Sequence, residues 1–213
     1  MGIGFVLYSL GLILASVTKT VVLFYMTPIW STALAYFALQ ERAGAGRWIA
    51  ITAAIAGCGL ITGLIDEALF FDPLDFLGLA SGFFWALGSV FIRRYEKLNY
   101  IHVTFLQYIL GSMLALGAAV LYEPSMPVAA IWLSAAIPAF VASCVMFLPT
   151  ALLMFRIMQY VSPGLVGIFM LSEALVAALS AALFLGEALL PMQWAGVVMI
   201  LATGVFVGVR EGK

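Results

Sequence analysis

Glu173 is the one carboxylate that lies well inside a long apolar run. If that run crosses a bilayer, an ionised carboxyl there costs roughly 2–3 kcal/mol or more on insertion scales. The group is therefore expected to carry a proton much of the time, or to sit against a cation. Two chemistries follow: coupling proton movement to the movement of another solute, or holding a substrate amine. The plainer reading is a protonated side chain bonded to a neighbouring helix. Ser180 stands seven residues further along and continues the same helix face. In an earlier run Thr20, Thr27 and Ser31 recur at seven and four residues and share a face. Trp85 shares one with Gly78, Ser81, Gly82 and Ser89, and Tyr108 shares one with Thr104, Gly111 and Ser112, with Gln107 adjacent. Polar groups in a span are expected to turn away from lipid. Thr27, Ser31, Trp85, Tyr108, Glu173 and Ser180 are therefore the candidate substrate-binding residues, and Glu173 is also the proton-coupling candidate. For Trp85 and Tyr108, cavity lining and ordinary helix packing fit equally well, and Tyr25 and Trp30 could face lipid.

Other chemistries lack their residues. The sole histidine, His102, stands at the start of a run and reads as a headgroup contact, which leaves no histidine-rich metal centre and no catalytic triad to build. Asp66, Asp72 and Asp75 share one loop, so no paired aspartates lie at membrane depth. No GxxxxGK[ST] motif occurs, so transport would run on a gradient or by exchange. Cys58 and Cys144 lie in apolar runs and read as buried thiols rather than a disulfide. No enzyme activity, cofactor or metal is expected.

The elements that must position these residues follow from composition. Of 213 residues, 65% are hydrophobic and only 9% are charged, which excludes a soluble globular protein and a disordered one. A net charge of −1 leaves no basic face for nucleic acid. The fold class is all-α, a polytopic membrane bundle of about 7 full spans at 20–39, 48–64, 76–92, 101–122, 134–155, 164–185 and 194–209, preceded by a short run at 2–15. The partners expected are a small-molecule substrate and the lipid bilayer, and a homodimer stays open. Trp48, Trp132 and Trp194 lie near span ends and read as interfacial anchors. The glycine pairs Gly59/Gly63, Gly78/Gly82 and Gly204/Gly208 read as close-packing sites. Pro28, Pro138 and Pro149 each permit a kink.

Basic residues orient the chain. Arg42, Arg47, Arg93, Arg94, Lys97, Arg156, Arg210 and Lys213 fall on one side, and only Lys19 on the other. The opposite loops carry Asp66, Glu67, Asp72, Asp75, Glu123 and Glu187. The arginine-bearing loops and the C-terminus are therefore expected to be cytoplasmic, in a multi-pass protein of the cytoplasmic (inner) membrane.

The chain also resembles itself. A shift of 146 places Ser16 on Ser162, Leu39 on Leu185, Glu41 on Glu187 and Trp48 on Trp194. That shift crosses five spans, an odd number, so the two copies must sit in opposite orientations. Inverted repeats of this kind are the mark of secondary transporters that rock around a midplane site. Under the same shift Thr27 corresponds to Glu173, which puts the two on opposite sides of that site.

The residues Pro28, Leu39–Gln40–Glu41–Arg42 and Trp48, with Ser172–Glu173–Ala174, Leu185–Gly186–Glu187 and Trp194–Ala195–Gly196, resemble the EamA-type branch of the drug/metabolite transporter superfamily. The resemblance implies two inverted five-helix repeats, cytoplasmic termini and transport of small metabolites, with export expected. On that pattern residues 1–65 are an incomplete first repeat lacking two helices, and 74–210 the second. Ala174 stands where the family often has Pro. The alternative to a transporter is a truncated remnant, or a structural membrane partner without transport activity.

Overall fold

Within lipid no water is present to satisfy a backbone N–H or C=O, so a spanning chain must pair them internally. A computed structural model describes residues 1–62, 72–95, 97–122, 137–184 and 190–211, and their regular structure is entirely helical. Leu64, Asp66, Glu67, Glu123, Trp132, Leu185 and Glu187 lie outside the described residues. The order is α1 (Gly2–Leu14), α2 (Val17–Phe24), α3 (Thr27–Leu39) and α4 (Ala45–Thr62). A 3₁₀ turn (Pro73–Asp75) leads into α5 (Phe76–Arg94). Then come α6 (Tyr100–Tyr122), α7 (Ile137–Met158), α8 (Pro163–Met170), α9 (Ser172–Phe184) and α10 (Pro191–Glu211). Four stretches, Lys19–Leu39, Ala45–Thr62, Pro73–Arg94 and Tyr100–Gly117, are long and apolar enough to cross a bilayer by length and composition.

Two expected spans, 20–39 and 164–185, are each two helices rather than one. The first breaks at Tyr25–Met26 and the second at Leu171. At the first break Pro28 has no N–H to give the Phe24 carbonyl. The Thr27 hydroxyl donates to that oxygen instead, at 2.5 Å. At the second the Ser172 hydroxyl donates to Phe169 O at 2.6 Å. Ala174 occupies the place of Pro28 in the second copy, so this break forms without a proline. The bounds of α2, moved by 146, become those of α8, and the start of α4 becomes the start of α10.

Small residues set the crossings, as expected where lipid offers no hydrophobic drive between helices. A Cβ at Gly78 would stand 2.8 Å from Thr20 O, and one at Gly82 2.7 Å from Phe24 O, so α5 lies directly on the broken span α2–α3. At Gly4 a Cβ would meet Ser81 O at 2.8 Å, which seats α1 on α5. Gly167 approaches Pro28 Cα in the same way at 2.9 Å and joins α8 to α3. The most extensive pairing is α4 with α10, where Gly57 lies against Gly196.

Two expected packing glycines behave differently. Among the described residues nothing lies within 4 Å of a Cβ at Gly59 or Gly204. The α4–α10 crossing uses Gly57 and Gly196 instead, a different face of each helix. Cys58 is buried as expected, but Cys144 is exposed on α7. It is exposed because it borders an open cavity between α1, α6 and α7. The large apolar side chains that point outward, such as Ile13, Phe37, Val145 and Leu183, form the lipid-facing surface of the bundle.

Candidate functional site

Glu173 sits in the first turn of α9, directly after the break at Leu171. Contiguous sequence hid this placement, because the apolar run continues unbroken through the break. The N-terminus of a helix carries partial positive charge, which stabilises a carboxylate by about 0.3–1 kcal/mol, and up to ~2 in partly buried geometry. Against the expectation that it turns inward, the Glu173 side chain is exposed in the structure, and a half-helix that starts inside a span offers its carboxylate partial compensation where lipid replaces water.

Near the start of α9 lies an aromatic group that includes the candidate Trp85. Tyr25 at the first break belongs to it, and Tyr8 of α1 packs against it. Tyr25 is buried, not lipid-facing. The rings of Tyr8 and Phe24 have centroids 4.8 Å apart, those of Phe24 and Tyr25 5.7 Å, and Trp85 meets Phe24 edge-on at 6.0 Å. These rings pack with Leu171, Ala174 and Leu175, which brings the start of α9 into the same cluster. No periodic signal marks Tyr8, because α1 is apolar on every face. Trp30 is also held inside the bundle, with its ring edge-on to Phe83 at 5.6 Å.

The other candidates divide. Thr27 and Ser31 are buried on α3. Thr27 reaches Gly82 O at 3.5 Å besides its own Phe24 O, and Ser31 donates to Pro28 O at 3.2 Å. Their hydroxyls thus serve the backbone at the break. Ser180 is half-buried on α9. Trp85 and Tyr108 line one cavity of about 290 Å³ between α1, α5, α6 and α7, together with Phe5, Gln107, Thr150 and Phe155. The Trp85 Nε1 is buried and has no hydrogen-bond partner among the described residues. Cys144 lines an adjoining cavity with Tyr108 and Phe147.

A polar network closes the arginine-rich end. Ser162, at the start of α8, donates to Glu41 Oε2 at 2.7 Å and accepts from Arg47 Nη1 at 3.1 Å. Arg93 Nε lies 3.7 Å from Glu41 Oε1, and Arg93 Nη1 donates to Gln159 O at 2.5 Å. Gln159 donates onward to Leu98 O at 2.6 Å. Charges read from sequence as setting orientation thus also tie α3, α4, α5 and α8 together. At the other end Lys19 pairs with the buried Asp75 at 3.8 Å, in keeping with their assignment to one side. A Glu41→Ala change is expected to cost about 1 kcal/mol, since the ion pair is partly solvated while the Ser162 hydrogen bond is lost. In a thermal melt of the purified chain this appears as a fall of about 2–4 °C in Tm, and an unchanged melt would show that the network adds no stability.

The family model of the EamA-like transporter family matches residues 1–63 and 73–209. No curated protein sequence matches the chain. A solved structure described only as "Crystal structure of protein" is similar to 94% of this chain and 71% of its own, with a TM-score of 0.74 at 20% identity. At that identity the likeness shows a shared fold alone.

Proposed function

The chain belongs to the EamA-like transporter family, and from that premise we propose that it carries a small organic metabolite across the cytoplasmic membrane by gradient-driven or exchange transport. The transport works outward, by alternating access at the interface of two inverted repeats, and the C-terminus and arginine-rich end are cytoplasmic. The observation that carries the proposal is the pair of broken spans. Their breaks stand at equivalent places under the 146-residue shift, and each starts a half-helix inside the bundle with a polar residue in its first turn: Thr27 in one, Glu173 in the other. Discontinuous helices at corresponding points of two halves are how secondary transporters build midplane sites. An inert bundle gains nothing from two interrupted hydrogen-bond ladders at matched positions.

The substrate-facing residues in this reading are Thr27, Ser31, Trp85, Tyr108, Glu173 and Ser180, joined by Tyr8 and Tyr25. The test compares metabolite export from cells with and without the gene, followed by flux of the responding solute in proteoliposomes holding the purified chain. A solute whose export depends on the gene and whose flux needs an imposed gradient or a counter-solute supports transport. Export profiles that coincide, with no flux in liposomes, would instead favour a remnant or a structural membrane partner.

A further inference from the structure

We propose that the arginine-rich end of the bundle holds an anionic glycerophospholipid, with its phosphate among Arg42, Arg47 and Arg93 and an acyl chain along the groove beside Trp48. The seat lies at the end of the bundle and does not depend on transport. The first argument is charge. A cavity of about 440 Å³ opens between the α3–α4 connection, the first turn of α4, the last turn of α5 and the α7–α8 connection. Arg42, Arg47 and Arg93 line it, and Glu41 is the one carboxylate in its wall. Three guanidinium groups against one carboxylate leave two positive charges in excess. Glu41 is already engaged, since it accepts from Ser162 at 2.7 Å and lies 3.7 Å from Arg93 Nε. Arg42 takes part in no hydrogen bond or ion pair among the described residues. Guanidinium matches phosphate through paired, planar hydrogen bonds. The start of α8 borders the same cavity through Ser162 and Leu165 and adds partial positive charge.

The second argument is what adjoins the cavity. Arg42 also lines a second hollow, of about 610 Å³, whose walls include Thr32, Tyr36, Phe37 and Trp48. Phe37 is 74% exposed, Tyr36 48% and Trp48 40%, so this hollow opens on the outward side of α3 and α4. One hollow is cationic, the other is largely aromatic, and they meet at Arg42. A free phosphate fills the first and leaves the second empty. A phospholipid fills both, because its phosphate and its acyl chains are one molecule. Tryptophan and tyrosine, with apolar bodies and polar tips, sit at the level of the headgroups. Trp48, Tyr36 and Tyr160 therefore mark the depth at which a phosphate passes into its chains. Basic pockets between spanning helices are where anionic headgroups bind.

The third argument is the sign of the head. A zwitterionic lipid brings its own ammonium beside the arginines, and like charges at that distance repel. A lipid with a net negative head brings the phosphate alone. The arginine that serves as control is Arg156, which stands 6.0 Å from the centroid of the Tyr100 ring and lines neither hollow.

The test uses the full chain, purified in detergent. Phosphatidylglycerol and phosphatidylcholine with identical acyl chains, brominated close to the head, are titrated into mixed micelles. Bromine quenches a nearby indole, so Trp48 reports occupancy of the groove. Phosphatidylglycerol is expected to quench saturably, with half-saturation at least about fivefold lower than phosphatidylcholine. Arg42→Gln should raise that half-saturation about fivefold, and Arg42→Gln with Arg47→Gln about 20-fold. Arg156→Gln should leave it unchanged, and Trp48→Phe should remove the quenching specific to phosphatidylglycerol. Inorganic phosphate in excess, at matched ionic strength, should not displace the lipid, since it places nothing in the groove. Should the double variant fail to fold, Arg42→Glu carries the same comparison. Equal quenching by the two lipids, or phosphatidylglycerol quenching that survives Arg42→Gln and Arg42→Glu, overturns the assignment. An equal loss in Arg156→Gln would make the attraction general to this end and overturns the site. Displacement by phosphate at the lipid's own concentration would give the arginines to a free anion and overturns the lipid. No gradient or solute enters the assay, so its failure is separable from that of transport.

Discussion

A Glu173→Gln chain is expected to lose about 100-fold of its gradient-driven flux while melting at the same temperature as the parent, or higher. The two effects point in opposite directions for one physical reason. The amide keeps the size and hydrogen-bonding reach of the carboxyl but can neither ionise nor take up a proton. Burying the ionised group costs on the order of 2–3 kcal/mol by insertion scales, and the N-terminus of α9 returns only about 0.3–2 kcal/mol of that. The remainder is small enough for a bound cation to offset, so both the neutral and the charged forms are within reach during a transport cycle. Gln removes that choice. A flux loss of 100-fold corresponds to about 2.7 kcal/mol of lost interaction, the size expected for a charged group with no ion-pair partner among the described residues. Stability should not fall, because a group that costs energy to hold ionised at membrane depth has been neutralised. Flux in proteoliposomes across a pH series, beside a thermal melt, measures both. A flux and pH profile identical to the parent's would take Glu173 out of the mechanism, and a lowered melt would make its role structural.

The second large effect concerns the α4–α10 crossing. A Cβ at Gly57 would stand 2.9 Å from Gly196 O, 3.0 Å from Ile200 Cγ1 and 3.1 Å from Met199 Cβ. The nearest of these is backbone and cannot swing aside. Gly57→Leu must therefore push the two helices apart along the bundle's most extensive pairing. The cost is expected to reach about 3 kcal/mol or more, at the upper end for overpacking. Most of the variant should be lost from the monodisperse fraction after solubilisation. Gly59→Leu, two residues along the same helix, adds a Cβ that meets nothing within 4 Å among the described residues and should be recovered at close to the parent's yield. Similar yields for both variants would mean that the helices do not cross at Gly57. The contrast separates the packing argument from helix propensity, since Leu is the better helix former at both positions.

Much of the architecture was legible because lipid imposes a simple rule. Where 65% of residues are hydrophobic and 9% charged, the charges and prolines that interrupt apolar runs mark the helix ends. The expected runs at 48–64, 76–92 and 101–122 correspond to α4, α5 and α6 within a few residues. The family was readable from Glu41, Trp48, Glu173 and Trp194 in their settings, which the match over 1–63 and 73–209 supports. Two helix starts also follow the 146-residue shift, since α8 starts 146 residues after α2 and α10 starts 146 after α4.

What the sequence by itself determined, then, is that the chain belongs to a family of membrane proteins, roughly where its apolar runs lie, and that Glu173 stands alone among apolar neighbours. Only the tertiary structure decided which faces meet. It placed Gly57 rather than Gly59 at a crossing, turned Tyr25 inward, left Cys144 exposed at a cavity, and brought Tyr8 from α1 and Tyr25 from the first break against the start of α9. In a water-soluble protein an apolar stripe on each helix would have announced its buried face. A helix in lipid is apolar on every face, so its pattern carries almost no rotational information, and close packing with neighbours distant in sequence sets the rotation instead.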